Sequence, residues 1–236
     1  APERLASESF TNLLRNLPIS LIAIDEAHCV SQWGHDFRPS YLDISPWIEQ
    51  LPQRPVVAAF TATATLPVRA DIIKLLNLVN PDVYVTGFKR ENLHLSAIKG
   101  VDKNKFITRY VESHPEQSGI IYAATRKEVD SLYELLKSKG FAAGRYHAGM
   151  DKDERHRNQE DFLYDEIRVM AATNAFGLGI DKSNVRYVIH HNMPRHIEAY
   201  YQEAGRAGRD GEHADCILLY ASGDVQTQKY LIENSE

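Results

Sequence analysis

Cysteine, long apolar runs and a surplus of positive charge are all lacking in this sequence, and each absence narrows the class of protein. The two cysteines, Cys29 and Cys216, lie far apart without a CxxC neighbour, so neither a disulfide framework nor a structural zinc site is expected. No apolar run is long enough to cross a bilayer, and no charged-then-apolar leader opens the chain. We therefore expect a soluble globular protein of a reducing compartment, with no zinc and no membrane contact.

The charge balance is acidic rather than basic. The chain has 27 Lys and Arg residues against 32 Asp and Glu residues, which gives a net charge of −5. Proteins that bind nucleic acid often carry a basic footprint. Charge alone therefore argues weakly against such a partner, and any contact with phosphates must come from local patches.

Short apolar runs alternate with amphipathic stretches along the chain. Five runs are brief and apolar with little alternation, as in the strands of a parallel sheet covered on both faces: residues 21–24, 56–60, 119–122, 168–172 and 185–190. Residues 67–76 and 126–139 carry apolar side chains at helical spacing, and Thr125 with Glu128 forms a capping box before the second stretch. This alternation predicts an α/β fold with right-handed crossovers.

Two carboxylates, Asp25 and Glu26, follow the first predicted strand, and His28 comes close behind. In open α/β sheets, ligands gather at the carboxyl ends of the strands. One carboxylate there can hold Mg²⁺ beside nucleotide phosphates, and its neighbour can orient and deprotonate an attacking water. Acidic residues are also common at solvated strand ends, so the pattern alone leaves both interpretations open.

The loop that follows, residues 29–39, contains Trp33, Phe37 and Arg38. Stacking on nucleic-acid bases requires exposed aromatic faces, and arginine adds charge and a planar surface. Taken alone, the two aromatic side chains are explained better by packing in a core.

Asp25-Glu26-Ala27-His28 together with residues 29–41 resembles motif II and the aromatic-rich loop of the RecQ DNA helicases. Four further segments resemble later motifs of that family and occur in the family's order: residues 60–65 motif III, 118–126 motif IV, 171–182 motif V and 201–211 motif VI. The last segment, YQEAGRAGRDG, carries two arginines three residues apart among small residues. Guanidinium groups there can donate two hydrogen bonds each to phosphate oxygens and stabilise a transferring phosphoryl group.

The resemblance implies a role for each matching residue. Catalysis is assigned to Glu26, Arg206, Arg209 and Gln202, and nucleotide binding to Asp25 (through Mg²⁺), His28, Gly179 and Asp181. DNA contact is assigned to Trp33, Phe37, Arg38, Thr173 and Asn174, and coupling between nucleotide and DNA to Thr61 and Thr63.

The resemblance also implies an architecture and an activity. Two RecA-like parallel-sheet domains are expected: residues 1–86 as the C-terminal part of the first, 87–91 as linker, 92–221 as the second, and 222–236 as a helix leading to further modules. The implied activity is ATP- and Mg²⁺-dependent, 3′-to-5′ unwinding of partly duplex DNA along a single strand, in repair and recombination. The compartment would be the nucleoid of a bacterium or the nucleus of a eukaryote.

One motif of such a motor is missing from these residues. No GxxxxGK[ST] segment, whose amides and lysine cradle nucleotide phosphates, occurs in the sequence. We therefore expect the chain to be inactive as an ATPase by itself, and its incomplete first sheet to favour self-association. The alternative is a non-catalytic nucleic-acid-binding or regulatory fragment. A metal hydrolase built on Asp25, His28 and His35 is disfavoured, because these residues lack the i, i+4 spacing of helical metal ligands.

Overall fold

The computed structural model describes residues 1–34, 36–87, 89–177, 180–221, 223–226 and 229. The chain divides into two compact units, Ala1–Gly87 and Phe88–Glu236. The division falls within residues 87–91, the segment interpreted above as a linker.

The first unit is built on a two-stranded parallel sheet. Strands β1 (Leu21–Ile24) and β2 (Val56–Ala59) pair with Leu21 beside Val56, and both of these side chains are more than half exposed. Around the sheet lie α1 (Glu8–Arg15), α2 (Ile44–Glu49), α3 (Leu66–Leu75) and three 3-10 segments, Pro2–Ala6, Ala27–Val30 and Pro39–Asp43. The core is small, with Ile24, Val30, Ile48, Ile72 and Leu76 among its buried members. Self-association through the exposed apolar side chains stays a prediction.

The second unit contains a six-stranded, wholly parallel sheet in the order β3-β8-β7-β4-β6-β5. Its strands are β3 (Leu93–Lys99), β4 (Ser118–Tyr122), β5 (Ala143–Tyr146), β6 (Val169–Ala172), β7 (Val185–His190) and β8 (Ala214–Tyr220). Its helices are α4 (Lys103–Ser113), α5 (Arg126–Ser138), α6 (Lys152–Leu163) and α7 (Ile197–Ala204). One face of the sheet packs on α4 and α5 and the other on α6 and α7, so β4 and β6 are buried along their whole length.

Local sequence signals explain where α5 begins. The Thr125 hydroxyl accepts the Glu128 backbone N–H at 3.2 Å, and the Glu128 carboxylate accepts the Thr125 N–H at 3.1 Å. This reciprocal pair is the capping box expected from the sequence, and it satisfies two amides that a helix start leaves without partners.

The α/β class is confirmed, and the five predicted strands and two predicted helices are found with ends within one residue of those expected. Strands β3, β5 and β8 were not predicted. Residues 222–236 were expected to form a last helix; residues 223–226 are helical, and most of the remainder lies outside the described residues. In the part of the chain that the structure describes, no helix is both long and apolar enough to span a bilayer.

Candidate functional site

The acidic pair lies at the carboxyl end of β1, as expected. Phe60 closes the end of the sheet by donating its N–H to Ile24 O and accepting the N–H of Ala27, both at 2.8 Å. This turn holds Glu26 in the left-handed region with φ 49°, an uncommon conformation for a residue with a side chain. The Asp25 carboxylate is exposed, and one of its oxygens accepts the Glu26 N–H at 2.9 Å.

His28 connects this pair to the end of β2. Its buried ring places Nδ1 2.9 Å from the Thr61 hydroxyl and 3.4 Å from Glu26 Oε2. The Thr61 oxygen lies 3.1 Å from the Thr63 carbonyl oxygen and accepts the Thr63 N–H at 3.2 Å. A hydroxyl has a single proton; when Thr61 donates it to Thr63, the bond between His28 and Thr61 is donated by the imidazole. The structure thus brings together Glu26, His28, Thr61 and Thr63.

The aromatic loop differs from a core segment. Trp33 is 80% exposed, while Phe37 and Arg38 are half-buried. Gly34 lies so close to the loop's start that a Cβ there would sit 2.5 Å from the His28 carbonyl oxygen. The packing explanation is therefore wrong for Trp33, whose faces are accessible. His35 lies outside the described residues.

Burial also determines the reactivity of the Cys29 thiol at the start of this loop. It raises the pKa of Cys29 to about 12, and the nearby Asp36 carboxylate adds to the effect. The thiol is therefore protonated at neutral pH and is a poor nucleophile.

In the second unit, the two arginines assigned to catalysis, Arg206 and Arg209, lie within residues 205–211, which we call the arginine loop. Arg206 Nη1 donates to Gly177 O at 2.5 Å, and Arg209 Nη1 donates to Ile180 O and to Asp181 Oδ1, each at 3.0 Å. A Cβ on Gly177 would lie 2.2 Å from the Arg206 guanidinium carbon, so only glycine permits this approach. The arginine loop and the segment after β6 are thereby joined.

The two guanidinium groups differ in accessibility. Arg206 Nε is buried and has no hydrogen-bond partner among the described residues. The Arg209 side chain is about one-third exposed, and its partner Asp181 is 91% exposed. Ion pairs as exposed as this one contribute little energy, so a bound phosphate can replace Asp181. Gln202 lies on α7, half-buried, one turn before Arg206.

The residues assigned to DNA contact after β6 differ in accessibility. Thr173 is buried and donates its N–H to Tyr146 O at 3.1 Å, whereas Asn174 is exposed. Gly179, assigned to the nucleotide, lies outside the described residues.

Sequence reasoning missed three sets of polar contacts near these residues. Arg90 and Asn92 bind carbonyls of the arginine loop. Buried Lys182 donates to Asp165 at 2.8 Å, and buried His190 lies 2.8 Å from Glu203. The partners in each set are at least 13 residues apart, so no local pattern marks them. Lys182 stands in the sequence among the polar residues Asp181, Ser183 and Asn184, so its burial has no local signal either.

The residues at the end of β1 suit Mg²⁺ only in part. Among the described residues, no three His, Cys, Asp or Glu side chains are grouped so that they could hold a metal. A single exposed carboxylate does fit Mg²⁺, which usually keeps several waters and binds one or two carboxylates together with substrate phosphates. Asp25 is such a carboxylate.

Comparison with known proteins yields two kinds of match. The family model for the helicase conserved C-terminal domain matches residues 102–211. The ATP-dependent DNA helicase RecQ of Bacillus subtilis is 52% identical over 235 residues, which is 100% of this chain and 40% of that protein. The RecQ helicase of Pasteurella multocida is 43% identical over all of this chain and 37% of its own length. The chain thus spans about 40% of the length of these relatives.

Solved structures match the fold at lower identity. Dbp5 of S. cerevisiae bound to RNA and ADP BeF3 has a TM-score of 0.73 and 23% identity, covering 95% of this chain and 60% of that one. Mss116p bound to ssRNA and AMP-PNP has a TM-score of 0.73 and 20% identity, covering 99% and 49%. At these identities the likeness concerns the fold alone.

Proposed function

This chain belongs to the RecQ family of DNA helicases, and from that premise we propose that it supplies most of an ATP-driven motor that moves 3′ to 5′ along single-stranded DNA and unwinds partly duplex DNA. The activity belongs to a longer protein that also carries the phosphate-binding GxxxxGK[ST] loop, a segment without a counterpart in these 236 residues. Repair and recombination are the processes in which such unwinding would serve.

The observation that carries this proposal is the connected set of Glu26, His28 and Thr61. Glu26 would act as the general base for an attacking water, and Asp25 would hold the Mg²⁺ that offsets the phosphate charge. His28 Nδ1 lies 3.4 Å from Glu26 Oε2 and 2.9 Å from the Thr61 hydroxyl oxygen. A change in the charge or position of the Glu26 carboxylate would therefore alter the hydrogen bonding of the 61–63 turn. This linkage suits a motor, in which hydrolysis must be coupled to movement on DNA.

The arginine loop supplies the positive charge that the reaction needs. Arg206 and Arg209 would face the γ-phosphate and stabilise the charge that develops on the transferring phosphoryl group. Arg209 donates a hydrogen bond to Asp181 at 3.0 Å. Gln202, on the helix just before the loop, would respond to the state of the nucleotide.

Single-stranded DNA is the proposed partner of the exposed aromatic loop. Trp33 is 80% exposed, and base stacking on such a ring contributes about 1–3 kcal/mol per base. Phe37 and Arg38 would extend this surface, and Thr173 and Asn174 would contact the DNA backbone from the second unit. A non-catalytic DNA-binding fragment is the second candidate, favoured by the missing phosphate-binding loop.

The test compares two arginines in a protein of the relatives' full length. Arg209→Ala is expected to lower kcat for DNA-stimulated ATP hydrolysis by about 10³-fold, because an arginine that stabilises the transferring phosphoryl group contributes at least that much. Arg157→Ala, which removes an exposed arginine from α6, is the matched control and should leave turnover unchanged. Near-normal turnover by Arg209→Ala would refute the assigned role.

The 236-residue chain by itself provides a second measurement. It should bind single-stranded DNA weakly and show no DNA-stimulated ATPase activity. Robust turnover by this chain, abolished by Glu26→Ala, would show that the missing loop is not needed.

A further inference from the structure

The segment that enters the second unit binds the back of the arginine loop. Arg90 Nη1 donates to Gly205 O at 3.0 Å, and Arg90 Nη2 donates to Ala207 O at 3.2 Å and also to Gly208 O. One guanidinium group therefore holds three carbonyls within four consecutive residues. Those four residues include Arg206, and Arg209 follows them directly.

Asn92 adds a second attachment to the same loop. Its Nδ2 donates to Gly208 O and to Glu212 O, both at 2.8 Å, and its own carbonyl accepts the Ala214 N–H at 3.0 Å. Gly208 has φ +54°, and a Cβ there would sit 2.5 Å from Asn92 Nδ2. The loop is therefore shaped to lie against residues 90–92.

The charge and the geometry of Arg90 both suit this place. The loop follows the C-terminal end of α7, and a positive charge near that end of a helix is favourable. The N–H donors of a planar guanidinium group point in different directions within one plane, so one group can bond to several carbonyls at once. A lysine has one nitrogen on a flexible stem and cannot reproduce that arrangement.

We propose that Arg90 is a positioning residue for phosphoryl transfer: it fixes the backbone that carries Arg206 and Arg209. Arg90 also lies two residues after the boundary between the two units. This inference rests on the proposed role of the two arginines, and the two experiments below separate its failure from theirs.

The first experiment measures amide hydrogen exchange in this chain. The Arg206 and Gly208 amides, which are bonded to Glu203 O and Val185 O, report on the loop. In Arg90→Lys their exchange should accelerate about tenfold, since a charged donor to several carbonyls is lost. Arg168→Lys is the matched control, because Arg168 also donates to a carbonyl, that of Glu116 at 3.2 Å. It should leave both amides unchanged.

A second variant covers the case in which Arg90→Lys folds poorly. Gly208→Ala keeps every charge but forces the loop away from Asn92, so it should accelerate exchange at Arg206 as Arg90→Lys does. Wild-type protection of the loop in the folded Arg90→Lys or Gly208→Ala variant would overturn the proposal. Equal acceleration in Arg168→Lys would overturn it as well.

The second experiment uses a full-length protein and separates kcat from nucleotide affinity. A shift of about 1 Å in a catalytic group can cost about 10²-fold in rate, so Arg90→Lys should lower kcat by about 10- to 100-fold. The dissociation constant for ATP should change less than about twofold, because Arg90 itself does not touch phosphate. An unchanged kcat, or a loss confined to affinity, would overturn the positioning role. If Arg209→Ala keeps its turnover, the proposed function fails instead, and the exchange result alone decides whether Arg90 holds the loop.

Discussion

The acidic pair of the first unit and the arginine loop of the second unit are held by very different surroundings. The acidic pair sits at the end of a two-stranded sheet whose strand β1 buries only Ile24. The arginine loop belongs to a six-stranded sheet in which β4 and β6 are fully buried, and its backbone is bound by Arg90 and Asn92. The arginine loop is therefore held by a buried sheet and by side-chain bonds to its backbone, whereas the acidic pair is held mainly by backbone bonds to the end of β2.

The largest expected effect tests whether the two units differ in stability. Ile121 in β4 is fully buried, and Ile121→Ala should cost about 4 kcal/mol of unfolding free energy. Ile22 in β1 is only half-buried, so Ile22→Ala should cost about 1 kcal/mol. Urea denaturation followed by circular dichroism and by tryptophan fluorescence measures both, since Trp33 and Trp47 both lie in the first unit.

The same two probes can also refute the expected difference in stability between the two units. Wild-type fluorescence should change at lower urea than circular dichroism, because the first unit has the smaller core. Ile121→Ala should shift mainly the circular dichroism transition. Coincident transitions for both probes, shifted equally by both variants, would show that the units unfold as one and that the contrast in packing has no energetic consequence.

A second prediction concerns an ion pair of the second unit in which the cation is buried and the carboxylate is about one-third exposed. Lys182 is 4% exposed and donates to Asp165, which also accepts from the Ser118 hydroxyl at 2.8 Å. Asp165→Asn should cost about 3 kcal/mol, because it leaves the ammonium group of Lys182 without its counter-charge. Asp153→Asn, at an exposed carboxylate of α6, is the matched control and should change stability little.

The pair also predicts a dependence on pH. Burial raises the pKa of Asp165, but the bonds from Lys182 and Ser118 and the charges of Lys182 and Arg168 outweigh it, so the pKa is lowered overall. A carboxylate with a lowered pKa stabilises the fold above its unfolded-state pKa, about 3.9, and the contribution is lost as the pH falls through the folded-state value. Urea midpoints between about pH 6 and pH 2 should therefore fall more steeply for wild type than for Asp165→Asn. Parallel profiles would contradict this assignment.

Local signals in the sequence predicted much of the fold, and long-range contacts explain what was missed. The start of α5 follows from Thr125 and Glu128, which are three residues apart. Strand β5 reads Ala-Gly-Arg-Tyr and has no apolar run; it is a strand because Gly144 and its neighbours pair with β6. Strand β3 is an edge strand with mostly accessible side chains, so its pattern is weak.

The candidate site follows the same rule. Asp25, Glu26, Arg206 and Arg209 were found because they belong to contiguous motifs, and their roles stay predictions. Arg90 was interpreted as part of a polar linker. Its hydrogen-bond acceptors lie 115 to 118 residues further along the chain, so the sequence around Arg90 does not reveal them. A contact of that separation leaves no periodic signal, and a single charged residue in a polar segment is usually solvated.

The smallest expected effect separates two threonines of the turn that His28 contacts. The Thr61 hydroxyl bonds to His28 and to Thr63, so Thr61→Val should cost about 1 kcal/mol of unfolding free energy in the first unit. The Thr63 hydroxyl is buried and has no partner among the described residues, so Thr63→Val, an identical change of shape, should be neutral or slightly stabilising. Tryptophan fluorescence in urea measures both.

Thr61→Ser is the control that keeps the oxygen while removing a methyl group, and it should retain most of the bond to His28. In a full-length protein, Thr61→Val should weaken the stimulation of ATP hydrolysis by DNA more than Thr63→Val does, since the Thr61 hydroxyl bonds to His28 and the Thr63 hydroxyl has no partner among the described residues. Equal losses in the two valine variants would mean that the turn contributes shape rather than a hydrogen-bonded connection. The coupling role proposed for the contact between His28 and Thr61 would then be refuted.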